Sequence, residues 1–299
     1  MSFNLIKKQT RQHIYKPKEE KELKTPSVII TEEYEPKVVV KKEIIDEVKK
    51  HETIDINKIY FYCVNLKRAI HRKKFMEFQF NKERIVYSFI NGIDAENNDD
   101  ESSNTLPQPI IYSKTDQENK YDVACSCSHL MAIHKAYYNG LPYAFIIEDD
   151  MIIEIFNKNK NIIENLLNTI KDKFDTIQLF TLNSELYENA MTDYVDWNKR
   201  FNSSAFYLLN RKAMLEILSK YCTMKDRKLI KIDLSALGDD IKSDNVVFNH
   251  SRLKVLTCGI PFAVPTGLDC FIKTNDIVEQ HELIEKINNA IENNPKIST

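Results

Sequence analysis

Glycine is scarce in this chain: its 299 residues include only Gly92, Gly140, Gly238, Gly259 and Gly267. A phosphate-cradling P-loop, a dinucleotide-binding GxGxxG turn and a GxSxG nucleophile elbow each need glycines at fixed short spacing, because only a residue without Cβ lets the backbone turn tightly or approach a phosphate. No two of the five are so spaced, which excludes those three enzyme classes, so any nucleotide bound here is held by carboxylates, metal and side chains. Long apolar runs are missing too. Nowhere do the roughly eighteen consecutive apolar residues of a membrane span occur, and Met1-Ser2-Phe3-Asn4-Leu5-Ile6-Lys7-Lys8 lacks the apolar core of a signal peptide. The expectation is a cytoplasmic protein with no transmembrane segment. Charge of one sign is also lacking: the net value of −2 gives no general attraction for nucleic acid or an anionic membrane, so no nucleic-acid partner is expected. The six cysteines, Cys63, Cys125, Cys127, Cys222, Cys258 and Cys270, are scattered through apolar segments and read as free, buried thiols. Cys125 and Cys127 form a CxC pair, but no second pair completes a four-ligand zinc site, and structural zinc is not expected.

What is present divides the chain in two. Residues 16–50 are dominated by lysine and glutamate, interrupted by Pro17, Pro26 and Pro36, a composition that buries too little apolar surface to fold alone. Residues 1–53 are therefore expected to be a charged, flexible arm. Within it Val40, Ile44 and Val48 have the spacing of one face of a short amphipathic helix. Residues 54–299 read as one α/β domain. Strand-like apolar runs at residues 59–64 and 85–90 flank a helical stretch, which makes a βαβ unit and hence a parallel pair. Residues 96–119 are polar and read as a surface insertion or binding loop. Ser126 or Ser128 is a candidate cap for a helix carrying Leu130, Ile133, Tyr137 and Tyr138. Further strands are expected at residues 143–147, 176–180, 204–209 and 253–257. Helices are expected over residues 162–170 and 214–221, with a final one marked by Ile284, Ile287 and Ile291.

The chain is organised around Tyr143-Ala144-Phe145-Ile146-Ile147-Glu148-Asp149-Asp150, an apolar run that ends in three consecutive acids. Such a run reads as a strand buried on both faces, and the acids then stand at its carboxyl end, the edge where open α/β sheets bind ligands. Carboxylates this close repel one another unless a cation or tight hydrogen bonding offsets the charge. Hard oxygen ligands suit Mg²⁺ or Mn²⁺ shared with substrate phosphates; the plainer reading is an acidic turn facing water. Three more clusters carry chemistry. Asn65, Arg68 and Arg72 stand at the end of the first strand, where guanidinium groups can meet a diphosphate. Ser128-His129 places an imidazole ahead of the acidic strand. Asp239, Asp240 and Asp244 are candidates for a general base.

These segments, taken in order, resemble glycosyltransferase family 25, which includes lipopolysaccharide glycosyltransferases and procollagen galactosyltransferases. The resemblance rests on Tyr62-Cys63-Val64-Asn65-Leu66-Lys67-Arg68 with Arg72, on Cys125-Ser126-Cys127-Ser128-His129, on residues 141–150 and on Phe206-Tyr207-Leu208-Leu209-Asn210-Arg211-Lys212-Ala213. Val123 and Ala124 stand where the family pattern has glycine. The resemblance implies a GT-A-type fold with a Rossmann-like nucleotide-sugar-binding half and a mixed, mostly parallel sheet. It implies a metal-dependent, inverting transfer of a hexose, glucose or galactose, from a UDP-sugar to a hydroxyl of a glycan or glycoprotein acceptor. In that reading Asp150 and Glu148 are ligands of Mn²⁺ or Mg²⁺. Asn65, Arg68, Arg72, His129, Glu148 and Asp149 contact the nucleotide-sugar, and Asp244 or Asp240 is the base. A second reading is a glycosyltransferase-fold module that binds a nucleotide-sugar or a partner without turnover. Self-association is compatible with either.

Overall fold

A computed structural model describes residues 53–96, 110–113, 119–188, 193–238 and 240–266, with the single positions 285 and 289. The lysine- and glutamate-rich arm and Ile284, Ile287 and Ile291, the markers of the last expected helix, lie outside the described residues. In chain order the elements are β1 (Tyr60–Asn65), α1 (Ile70–Lys82), β2 (Tyr87–Asn91), β3 (Ile110–Tyr112), α2 (Lys120–Tyr138), β4 (Tyr143–Glu148) and β5 (Met151–Ile152). They continue with α3 (Glu154–Lys158), α4 (Lys160–Ile170), β6 (Thr176–Gln178), α5 (Ser184–Glu188), β7 (Tyr194–Asp196), β8 (Phe206–Asn210) and α6 (Arg211–Tyr221). The remainder are β9 (Cys222–Lys225), β10 (Lys228–Asp233), α7 (Ser243–Phe248), β11 (Val255–Cys258) and β12 (Val264–Pro265).

A seven-stranded sheet in the order β2-β1-β4-β8-β6-β11-β7 forms the centre. The expected βαβ unit is there: β1 pairs in parallel with β2 on one side and with β4 on the other. β8 runs against both β4 and β6, and β7 runs against β11. Five of the seven strands therefore point one way, which makes a mixed sheet dominated by one strand direction, consistent with a GT-A-like fold.

Both faces of the sheet are buried, for a reason visible in the period-two alternation of its strands. Phe61, Phe145 and Phe206 point to one face, where they meet Met76 and Phe80 of α1, Phe156 of α3 and Ile163, Leu167 and Ile170 of α4. The Phe61 ring lies 4.6 Å from Phe145 and edge-on to Phe156 at 5.4 Å, separations at which aromatic pairs attract beyond their area burial. Tyr62, Ile146 and Tyr207 point to the other face, against Leu130 and Ile133 of α2, Ile217 and Leu218 of α6 and Val247 and Phe248 of α7. Each such side chain stabilises the fold by about 1.5–3 kcal/mol, so the central strands fix the ends that carry the polar residues.

Two sequence expectations are corrected. Neither Ser126 nor Ser128 caps α2, which begins at Lys120; both serines are buried in its interior. Ser128 Oγ donates to the Ala124 carbonyl at 2.7 Å and accepts the Ile93 N–H at 2.8 Å. A serine satisfied by the turn below needs no helix end. The polar stretch 96–119 contains β3, which extends a small sheet with β10 and β9; residues 97–109 and 114–118 lie outside the described residues. The β9–β10 hairpin itself was not expected, because its strands are short and rich in lysine.

Candidate functional site

Pairing of β1 with β4 sets Val64 opposite Glu148, and pairing of β1 with β2 sets Asn65 opposite Asn91. Three carboxyl strand ends thus come to one edge of the sheet. A cleft there is lined by Arg68, Arg72, Asp94, Tyr121, Cys125, His129 and the acids Glu148, Asp149 and Asp150, among others.

Asn65 is buried and its Nδ2 donates twice, to the Ala69 carbonyl at 3.2 Å and to Asp149 Oδ2 at 2.5 Å. Asp149 also meets Arg72 from the first turn of α1, at 3.1 Å. The same guanidinium reaches Asp150 at 3.6 Å. Arg68 is engaged with Asp94 at 2.7 Å. Burial pushes the Asp149 carboxyl up to about 6, with Arg72 pulling it back. Asp150 is pushed up to about 7 by burial and then by the negative charge of Glu148 and Asp149. Arg72 thus serves two of the three adjacent carboxylates, Asp149 and Asp150, while Glu148 faces His129; the two that Asn65 does not hold, Glu148 and Asp150, are hard oxygen donors with charge left to offset. That donor set fits Mn²⁺ or Mg²⁺.

His129 lies nine residues inside α2, with no exposed surface. Its Nδ1 is 2.9 Å from the Tyr207 hydroxyl and its Nε2 is 3.1 Å from Glu148 Oε1. The imidazole therefore fixes the Glu148 carboxylate from behind. Cys125, one turn earlier, has its thiol pushed well above the ordinary range by burial and by the charge of Glu148.

The two candidate bases part company. Asp244 opens α7 and is half-buried; burial raises its carboxyl, and it senses the charges of Glu148 and His129. The neighbouring Ser243 Oγ lies 2.5 Å from Ser204 Oγ and 3.6 Å from Cys125 Sγ, which places the start of α7 beside the cleft. Asp240 is instead exposed, bonded to Lys199 at 2.8 Å and to Asn245 Nδ2 at 2.7 Å, and its carboxyl is lowered, first by the Lys199 bond. Asp239 lies outside the described residues. The sequence reading singled out neither Asp94 nor Tyr121. Asp94 stands three residues beyond the end of β2, so its signal was its place at the shared strand edge.

Residues 58–234 match the model of glycosyltransferase family 25, described as an LPS biosynthesis protein. A curated relative, the lipooligosaccharide biosynthesis protein lic2B of Haemophilus influenzae, is 22% identical over 206 residues, covering 65% of this chain and 72% of its own. The family match spans more than half of the chain and takes in Asn65, Arg68, Arg72, His129 and the three acids, though it ends before Asp240 and Asp244. This chain belongs to glycosyltransferase family 25, and it is a glycosyltransferase.

Proposed function

We propose that the protein transfers a hexose from a UDP-sugar to a hydroxyl of a glycan, with the donor held at the carboxyl ends of β1 and β4. The observation that carries this reading is the charge count in the cleft: Glu148, Asp149 and Asp150 crowd one strand end, and Arg72 is paired with only the last two. A dication bridging carboxylates and a diphosphate relieves that crowding. Glu148 and Asp150 would hold Mn²⁺ or Mg²⁺, which would supply charge stabilisation for the leaving diphosphate. Asp149, clamped by Asn65 and Arg72, positions its two neighbours. Arg68 and Arg72 face the cleft with planar guanidinium groups suited to phosphate or base edges.

The family description and the name of the Haemophilus relative both point to an acceptor on a lipopolysaccharide-type glycan. Inversion at the sugar requires one base opposite the leaving group. Asp244 is that base in this reading, supported by its burial and its place beside Glu148 and His129; the ion pair of Asp240 with Lys199 argues against the alternative. The test is a melting-temperature screen with UDP, UDP-glucose, UDP-galactose and GDP-mannose, each with and without Mn²⁺. A uridine ligand present at a hundred times its dissociation constant adds about 2.7 kcal/mol of stability. The expected result is an Mn²⁺-dependent rise with the uridine ligands and none with GDP-mannose. No rise with any of them would overturn the reading.

A further inference from the structure

Cys125 and His129 stand four residues apart on α2, so their side chains lie one above the other on the same helix face. Glu148 meets them from the end of β4. Cys125 Sγ, a His129 ring nitrogen and a Glu148 carboxylate oxygen all lie within 4.8 Å of one another, the one such trio among the described residues, and it is Nε2 of His129 that faces Glu148, at 3.1 Å. A tetrahedral zinc-type ion holds sulfur at about 2.3 Å and nitrogen or oxygen at about 2.0–2.2 Å, which separates its ligand atoms by roughly 3.5 Å. Small rotamer adjustments therefore gather the three atoms around one ion. The other ring nitrogen of His129 is already held by the Tyr207 hydroxyl at 2.9 Å. An outer partner of this kind fixes the orientation of a ligating imidazole. All three residues line the cleft, which gives an ion a path in and leaves a fourth position for water or a substrate oxygen.

We propose that Cys125, His129 and Glu148 form a binding site for a divalent cation of the zinc class. Its ligand set shares Glu148 with the proposed hard-oxygen pair but has sulfur and nitrogen where that pair has Asp150. A sulfur ligand beside an imidazole selects Zn²⁺ or Co²⁺ over Mg²⁺ and Mn²⁺. On binding, the thiol proton and any proton on Nε2 pass to solvent. Cys127 takes no part, because it is packed in the apolar core beside Leu130 and Ile133. The site does not depend on the donor reading, since its ligands are judged by their own chemistry.

The test uses the full-length protein, stripped with a chelator and titrated with Co²⁺, followed by the near-ultraviolet band that arises only from thiolate-to-cobalt charge transfer. The expected result is a band saturating at one equivalent per chain and displaced by Zn²⁺. It should be present in wild type, Cys127→Ser and Asp150→Asn, and absent in Cys125→Ser with an unchanged circular dichroism spectrum. If Cys125→Ser does not fold, His129→Gln read by the same band replaces it. No band in wild type, survival of the band in Cys125→Ser, or its loss in Cys127→Ser would overturn the assignment. The readout involves neither Mn²⁺ nor transfer, so its failure and the failure of the UDP-sugar screen are separate results.

Discussion

At the scale of single residues, Asp150 shows a site held at a cost to the fold. Its carboxyl is raised to about 7, first by burial and then by Glu148 and Asp149. A carboxyl raised in the folded state binds more protons there than in the unfolded chain, so its contribution to stability falls as pH rises from about 4 to about 7. Asparagine has nearly the same shape and no charge. Asp150→Asn is therefore expected to raise the melting temperature of the metal-free protein at pH 8 by about 2–4 °C, from on the order of 1 kcal/mol. The gain should shrink towards pH 4, and transfer should drop by roughly 100-fold or more. A lower melting temperature for the variant at pH 8 would show that the triplet is not under repulsion. The two aspartates named as bases make a sharper pair. Asp244→Asn is expected to lower kcat by about 10²–10⁴-fold, whereas Asp240→Asn, which breaks an exposed ion pair with Lys199 but leaves an amide oxygen to accept from Asn245 Nδ2, should stay within a few-fold of wild type. Equal losses in both variants would remove Asp244 from the role. Most residues that line the cleft were legible in the sequence as polar clusters, but the choice proposed between these two acids was not, because it rests on the pairing of Asp240 with Lys199.

At the scale of elements, the helix α2 is tied to the strand edge through Gly92 and Ser128. A Cβ at Gly92 would lie 3.2 Å from Ser128 Oγ and 3.3 Å from Leu66 Cδ2. Ser128 Oγ has little room to give way, since it is pinned by the Ile93 N–H and the Ala124 carbonyl. Gly92→Ala is expected to cost about 1–2 kcal/mol by overpacking. In a Ser128→Ala background the cost should fall by about 0.5–1 kcal/mol, a coupling that urea unfolding of the four-member cycle measures. Additive losses would show that α2 adjusts without strain. The same helix explains where sequence reading stopped. β1 and β4 were legible because both faces of each are buried and the code is a bare apolar run, and β2, half-buried at the sheet edge, because its run is apolar and closed by an Asn-Gly turn. The start of α2 was not, because Ser126 and Ser128 look like caps until the strand end at Gly92 and Ile93 supplies a partner for the second of them. β8 was read as a strand but its direction was open, since burial on both faces says nothing about polarity. Asp94 and Tyr121 were missed because only the parallel pairing of β1 and β2 and the approach of α2 bring them to the cleft.

At the scale of the whole molecule, two boundaries can be drawn for the folded unit, and they differ in what they discard. The family match begins at residue 58, but the packing begins earlier. Ile54, Ile56 and Ile59 are all buried in the core that holds Phe61 and Phe145. The Ile54 backbone exchanges two hydrogen bonds with the Asn168 side chain of α4, both at 2.8 Å, and the Ile56 N–H donates to Glu164 at 3.0 Å. The segment before β1 is therefore a clasp on α4, outside the family match and inside the fold. Residues 1–52, by contrast, carry the lysine, glutamate and proline composition that contributes little to a core. Removal of residues 1–52 is expected to leave one cooperative thermal transition within about 3 °C of the full chain, a change of less than roughly 1 kcal/mol. Removal of residues 1–58 discards two buried isoleucines and three hydrogen bonds, on the order of 5 kcal/mol, and should lower the transition by about 10–20 °C. Scanning calorimetry of both truncations decides the matter. Equal transitions would make the clasp dispensable, and a large loss on removing residues 1–52 alone would give the arm a share in stability that its composition does not lead one to expect.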